Sequence, residues 1–158
     1  MNSSLREFST EMLRSIPGLP PILQTIHLLG LVMLMASVVM ICLRVLNIAA
    51  RRQQLQELGL RLQPWFYWSL PVMLFSALPF FLARPQRYIY NPIFAIKLVA
   101  LLVALLASIS LLRHLRRLSS EAPGITARLM AVCALLSWLL TALAGRWIAY
   151  VDYIFWAG

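Results

Sequence analysis

Four long apolar runs, separated by groups of charged residues, organise the chain. Between Arg14 and Arg44 the only ionisable side chain is His27. The stretch from Arg61 to Arg84 has no charge between its ends. At 1.5 Å per residue, about 20 apolar residues cross the hydrocarbon of a bilayer. The pattern therefore predicts four transmembrane helices, at about residues 20–44, 64–83, 91–113 and 126–149.

The segment ahead of the first run predicts a short amphipathic helix at about residues 4–15. Leu5, Phe8, Met12 and Leu13 can share one face, which suits a helix lying on the membrane surface. Residues 1–14 carry two acids and no apolar run, so we expect no cleavable signal peptide. The predicted fold is all-α: one integral membrane domain over 1–158, a four-helix transmembrane bundle with an interfacial N-terminal helix.

Composition agrees with a bilayer as partner. Hydrophobic residues make up 61% of the chain and charged residues 12%. In soluble domains about half of the residues are apolar and about a quarter are charged. The net charge of +9 comes from 14 basic residues, of which Lys97 is the single lysine. These residues stand in short groups between the apolar runs, which is typical of membrane loops. We therefore expect no nucleic-acid partner.

The arginines also predict an orientation. The segments 44–61 and 113–128 each hold four arginines and one acid. On the other side, Arg6, Arg14, Arg84 and Arg87 are opposed by three acids, including Asp152. The positive-inside rule places the arginine-rich segments in the cytoplasm. We predict a multi-pass protein of a bacterial inner membrane, with both termini periplasmic.

Three intramembrane basic residues are predicted to lie at one depth. His27, Lys97 and Arg146 stand 17, 16 and 18 residues from the arginine at the cytoplasmic end of their own helix. These separations correspond to roughly 24–27 Å, in the outer third of the membrane. Ionisable residues are costly in hydrocarbon and are therefore candidates for function.

The functional hypothesis is an outward-facing ligand pocket formed by His27, Lys97, Arg146, Trp147 and Tyr150. Such a pocket is cationic, which disfavours a metal ion and suits a quinone head group, a haem propionate, a lipid phosphate or a carboxylate. The alternative is that Lys97 and Arg146 extend to the head groups while His27 bonds a backbone carbonyl.

Catalytic residues are not predicted. No Ser/His/Asp, Cys/His or paired-carboxylate arrangement is evident, so the sequence favours a protein that is not an enzyme without deciding the matter. His114 falls about 25 Å from His27, on the other side of the membrane. A bis-histidine haem is therefore not expected, and His27 remains the candidate ligand of a single-histidine b-type haem.

Several short motifs carry a family resemblance. They are Ile26-His27-Leu28-Leu29-Gly30, Leu43-Arg44-Val45-Leu46, Pro64-Trp65, Asn91-Pro92 with Phe94 and Lys97, and Gly145-Arg146-Trp147-Ile148-Ala149-Tyr150. Their order from about Ile22 to Val151 resembles an uncharacterised family of bacterial four-helix inner-membrane proteins. It is distantly similar to bundles of the cytochrome b561 and copper-resistance D kind. The resemblance implies the architecture and no activity.

Three functional hypotheses follow. The first is a non-enzymatic membrane subunit or anchor that contacts a membrane protein, a periplasmic protein or further copies of itself. The second is a redox-associated subunit that binds a quinone or a single-histidine haem near His27. The third is a small-molecule transporter acting as an oligomer, with Pro71 and the intramembrane polar residues marking a path.

The predicted orientation can be tested with reporters fused to the C-terminus. We expect alkaline phosphatase, which matures only in the periplasm, to be active, and green fluorescent protein exported through the same position to stay dark. The same reporters fused within the segment 44–61 serve as controls and should behave in the opposite way. If the C-terminal phosphatase fusion is inactive and the C-terminal green fluorescent protein fusion is fluorescent, the predicted orientation is wrong.

Overall fold

Helices account for almost all of the described structure. The computed structural model describes residues 3–117 and 123–150. Its elements are α1 (Ser3–Ser15), α2 (Leu19–Val45), α3 (Leu55–Ala83), α4 (Pro85–Ile89), α5 (Pro92–Arg117), α6 (Ile125–Trp147) and a 3₁₀ turn (Ile148–Tyr150). Four of them, α2, α3, α5 and α6, are long and apolar enough to cross a membrane. The all-α prediction of four spanning helices behind a short N-terminal helix is confirmed.

Helix α3 begins at Leu55, well ahead of the span predicted from about residue 64. The additional turns bury Leu55 and Leu58 against the bundle. They also carry an ion pair of 2.5 Å between Glu57 and Arg61, one helical turn apart. Because these turns are amphipathic rather than uniformly apolar, a search for an uncharged run misses them.

Two antiparallel hairpins form the bundle. In the first, Gly30 of α2 lies against Val72 of α3. In the second, Trp138 of α6 contacts Ser108 of α5. The hairpins meet where α2 packs on α6 and α3 packs on α5. We call the end that carries α1, α4 and the 3₁₀ turn the predicted periplasmic end, and the opposite end the predicted cytoplasmic end.

The main hydrophobic core occupies the half of the bundle towards the predicted cytoplasmic end. Its centre is Trp138, whose ring meets that of Phe66 edge to face at 6.4 Å. The indole N–H donates a hydrogen bond of 2.9 Å to Ser108 Oγ, which satisfies its one polar atom. The other fully enclosed large side chains are Leu34, Val45, Leu111 and Leu115.

Polar contacts close the predicted cytoplasmic end. Arg44 is only 8% exposed, and its Nε donates a hydrogen bond of 2.7 Å to the carbonyl of Gln53. Arg116 of α5 donates to the side-chain oxygen of Gln63 on α3. The sequence predicts that Arg44 belongs to the loop segment 44–61. In the structure its side chain is buried and holds the α2–α3 connection against the bundle.

Large apolar side chains cover the outside of the four long helices. A surface of this kind is unstable in water and is what lipid-facing helices require. Residues exposed by more than half include Leu28, Val32, Trp68, Phe75, Leu106, Leu129 and Leu136. The exterior therefore supports a bilayer environment for the bundle.

Gly30 sets the spacing of the first hairpin. A Cβ at this position would lie 2.9 Å from Met73 Cγ and 3.2 Å from Val72 Cγ1. We predict that Gly30→Ala destabilises the protein by about 1–3 kcal/mol, since α2 and α3 must move apart. The measurement is the thermal unfolding midpoint in mild detergent.

Gly59 provides the matched control, because a Cβ there meets only Leu115 Cδ1 at 3.6 Å, an ordinary contact. Gly59→Ala should be neutral or stabilising by about 0.5–1 kcal/mol, the usual gain from alanine in a helix. Equal midpoints for the two variants would show that Gly30 does not limit the helix spacing.

Candidate functional site

A layer of polar and small residues lies near the predicted periplasmic end. Beyond it a second, smaller apolar cluster contains Ile93, Ala144 and Ile148. Each transmembrane helix contributes one residue to the layer. We define the polar layer as His27 of α2, Ser76 of α3, Lys97 of α5 and Gly145 of α6.

His27 joins α2 to α3 within this layer. Its Nδ1 lies 3.0 Å from the carbonyl oxygen of Met73 and 3.0 Å from Ser76 Oγ. A carbonyl oxygen only accepts, so the tautomer with hydrogen on Nδ1 satisfies this contact and leaves a lone pair on Nε2. The expected bond from His27 to a backbone carbonyl is therefore present, and the second ring nitrogen has no hydrogen-bond partner among the described residues.

Lys97 is partly buried and crosses α6 at Gly145. Its Nζ and Cε stand 3.2 and 3.4 Å from the place where a Cβ of residue 145 would be. Glycine thus makes room for the lysine stem. Within residues 3–117 and 123–150, the ammonium has no acidic partner at salt-bridge distance.

The other three predicted site residues lie on the exposed surface of the predicted periplasmic end. Arg146 Nη2 donates a hydrogen bond of 3.1 Å to the hydroxyl of Tyr150. Its guanidinium carbon stands 5.4 Å from the centre of the same ring, a cation–π arrangement. Trp147 is 57% exposed. The structure thus links His27 to α3, packs Lys97 against Gly145 of α6 and pairs Arg146 with Tyr150, while Asp152 falls outside the described residues.

Ser76 belongs to the layer but is not among the residues predicted from the sequence. It is buried, and its hydroxyl also lies within hydrogen-bond distance of the carbonyls of Val72 and Met73. A signal was available, because Ser69 and Ser76 stand seven residues apart and so share one face of α3. Both are buried, which marks that face as the one turned to the bundle.

Apart from Ser108, which accepts a hydrogen bond from Trp138, the hydroxyls deeper in the bundle bond to their own helices. Ser37 donates to the carbonyl of Met33, Ser69 to that of Phe66, and Thr141 to that of Ser137. A hydroxyl bonded in this way satisfies its donor without linking one helix to another. In the described part of the chain, the polar layer is therefore a local feature of one end.

Four spanning helices, a lipid-facing exterior and an internal polar layer define a multi-pass membrane protein. Residues 19–151 match DUF6644, described as a family of unknown function, and the chain belongs to this family. The match confirms the expected relation to an uncharacterised family. No curated protein and no solved structure matches the chain.

The partly buried charge of Lys97 leads to a stability prediction. An ammonium without an acidic partner costs free energy in an apolar bundle. We expect Lys97→Met, which keeps the length of the stem, to stabilise the ligand-free protein by about 1 kcal/mol. Thermal unfolding in mild detergent should show a midpoint higher by a few degrees.

Arg61→Met is the control, because Arg61 is exposed and ion-paired at the other end of the bundle. An exposed pair contributes about 0–1 kcal/mol, so this variant should be unchanged or slightly less stable. A lower midpoint for Lys97→Met than for Arg61→Met would mean that the ammonium stabilises the fold.

Proposed function

We propose that the protein is a non-enzymatic membrane subunit that binds a quinone head group in the polar layer. The observation that carries the proposal is an oriented imidazole and a partly buried ammonium near the same end of the bundle. His27 is held by the Met73 carbonyl of α3, and Lys97 of α5 packs against Gly145 of α6. Side chains placed in this way supply one acceptor and one donor to the same ligand.

Quinone chemistry suits these two groups. An ammonium only donates, so Lys97 can bond a quinone carbonyl oxygen. The lone pair on His27 Nε2 can accept a hydrogen bond from a quinol hydroxyl. The isoprenoid tail is as apolar as lipid and can remain among the exposed aliphatic side chains of α2 and α5, such as Leu28 and Val99.

A cation site receives no support from the side chains. Among the residues that the structure describes, no group of three or more His, Cys, Asp or Glu could hold a metal ion. Lys97 adds positive charge to the polar layer, which disfavours a free metal ion there. The polar layer therefore favours a neutral or anionic ligand with oxygen acceptors.

A single-histidine b-type haem is the second candidate. The observation in its favour is the contact between Nδ1 and the Met73 carbonyl. Ligating histidines commonly donate their second ring N–H to a carbonyl or carboxylate, which orients the ring and leaves the other nitrogen for the metal. Lys97 would then bond a haem propionate.

As a subunit, the protein would act together with a membrane or periplasmic partner, or with further copies of itself. Arg146, Trp147 and Tyr150 are exposed at the same end as the polar layer. Arginine, tryptophan and tyrosine are the residues most enriched in binding hot spots. We propose this surface as the place where such a partner would contact the subunit.

Binding of a short-chain quinone tests the proposal. The protein is purified in mild detergent, and its tryptophan fluorescence and unfolding midpoint are followed as the quinone is added. We expect saturable binding in the wild type and at least about ten-fold weaker binding for His27→Ala and for Lys97→Met, since each loses one hydrogen bond to the ligand.

His114→Ala and Arg113→Met are the matched controls, because both residues lie at the other end of α5. Their affinities should equal that of the wild type. Absence of saturable binding, or equal affinities for all four variants, contradicts the quinone proposal. Reduced and oxidised visible spectra decide the second candidate: a Soret band lost in His27→Ala would support the haem.

A further inference from the structure

A groove on the predicted periplasmic end lies outside the polar layer and shares no residue with it. It is bounded by the end of α1, the start of α2 and the α3–α4 junction, and it encloses about 310 Å³. Three arginines line it, Arg14, Arg84 and Arg87, and Leu13, Pro20 and Phe80 form an apolar wall. We call this the arginine groove.

The charges of the arginine groove come from separate parts of the chain. Arg14 belongs to the last turn of α1, Arg84 to the junction between α3 and α4, and Arg87 to α4. Among residues 3–117 and 123–150, no acidic side chain lines this groove. Arg14 and Arg84 take part in no ion pair within the same ranges, where Glu57 and Arg61 form one at the opposite end. These two arginines therefore present positive charge that an anion would complement.

A neighbouring groove differs in its charge. It shares Arg14 and Arg84 but is also lined by Glu7 and Glu11 of α1. These acids offset Arg14 and Arg84 on the side of α1, whereas the described residues on the side of α4 include no acid. The contrast places the ligand's negative charge on the side of α4.

The apolar wall selects among anions. Leu13, Pro20 and Phe80 are partly exposed beside the arginines, so a ligand that fits the groove has both a charged and an apolar part. Leu5 and Phe8 of α1 are 50% and 65% exposed, which suits a helix resting at the membrane interface. Such a helix would hold the arginine groove at the depth of the phospholipid phosphates.

We propose that the arginine groove binds the phosphate of an anionic phospholipid, with an acyl chain lying along the apolar wall. Arginine suits this role because its planar guanidinium can donate two hydrogen bonds to one phosphate. The lipid would fasten α1 to the ends of α3 and α4, and would thereby stabilise the end of the bundle that carries the polar layer.

Lipid-dependent stability tests the proposal. Delipidated protein in a neutral detergent receives phosphatidylglycerol or phosphatidylcholine at equal concentration, and the unfolding midpoint is measured. We expect phosphatidylglycerol to raise the midpoint by a few degrees more than phosphatidylcholine does, by mass action on the folded state. The double variant Arg14→Gln/Arg84→Gln should lose this difference and bind the lipid on the order of ten-fold more weakly by native mass spectrometry.

Arg52→Gln/Arg113→Gln is the matched control, since it removes two exposed arginines at the predicted cytoplasmic end. It should keep the full difference, and Arg14→Lys/Arg84→Lys should keep most of it because the charge remains. An equal loss in the control would show a diffuse attraction and overturn the proposal. So would equal effects of the two lipids, or a full effect of glycerol phosphate alone, which would assign the groove to a soluble phosphate.

Discussion

Hydrocarbon cannot hydrogen-bond to a protein, and the structure depends on that constraint. The backbone of the four long helices satisfies its polar groups internally, as every spanning segment must. The same demand governs side chains. Among the described residues, every fully buried side-chain nitrogen or oxygen has a hydrogen-bond partner. Trp138 bonds to Ser108, and the deeper hydroxyls bond to carbonyls of their own helices. The fully enclosed polar side chains are thus satisfied by the helices around them.

The two halves of the bundle differ in how their helices pack. Large apolar side chains fill the half towards the predicted cytoplasmic end, where Trp138, Phe66 and Leu34 are almost completely enclosed. In the other half, glycines replace bulk at the helix contacts. Gly30 lets α2 approach Met73, and Gly145 makes room for Lys97. A firm core at one end can hold a polar layer at the other without that layer contributing to stability.

The polar layer and the arginine groove are linked through shared helices. His27 and the wall residue Pro20 both belong to α2, while Ser76 and Phe80 both belong to α3. An anionic lipid seated beside α1 would therefore restrict the same helix ends that position the imidazole. Under the two proposals, lipid composition changes ligand binding in the polar layer, because the lipid alters how firmly the ends of α2 and α3 are held together.

Much of this architecture follows from the sequence alone, because lipid imposes simple rules on composition. The long apolar runs predict the four spanning helices, and residue counts from the arginines predict that His27 and Lys97 lie at one depth. The start of α3 does not follow, since its first turns are amphipathic. Residue counts along one helix do not show which side chain of another helix a residue contacts. Only the packing of the helices decided that His27 bonds to α3 and that Lys97 crosses Gly145 of α6. The structure also decided that Arg146 bonds to Tyr150 on the exposed surface.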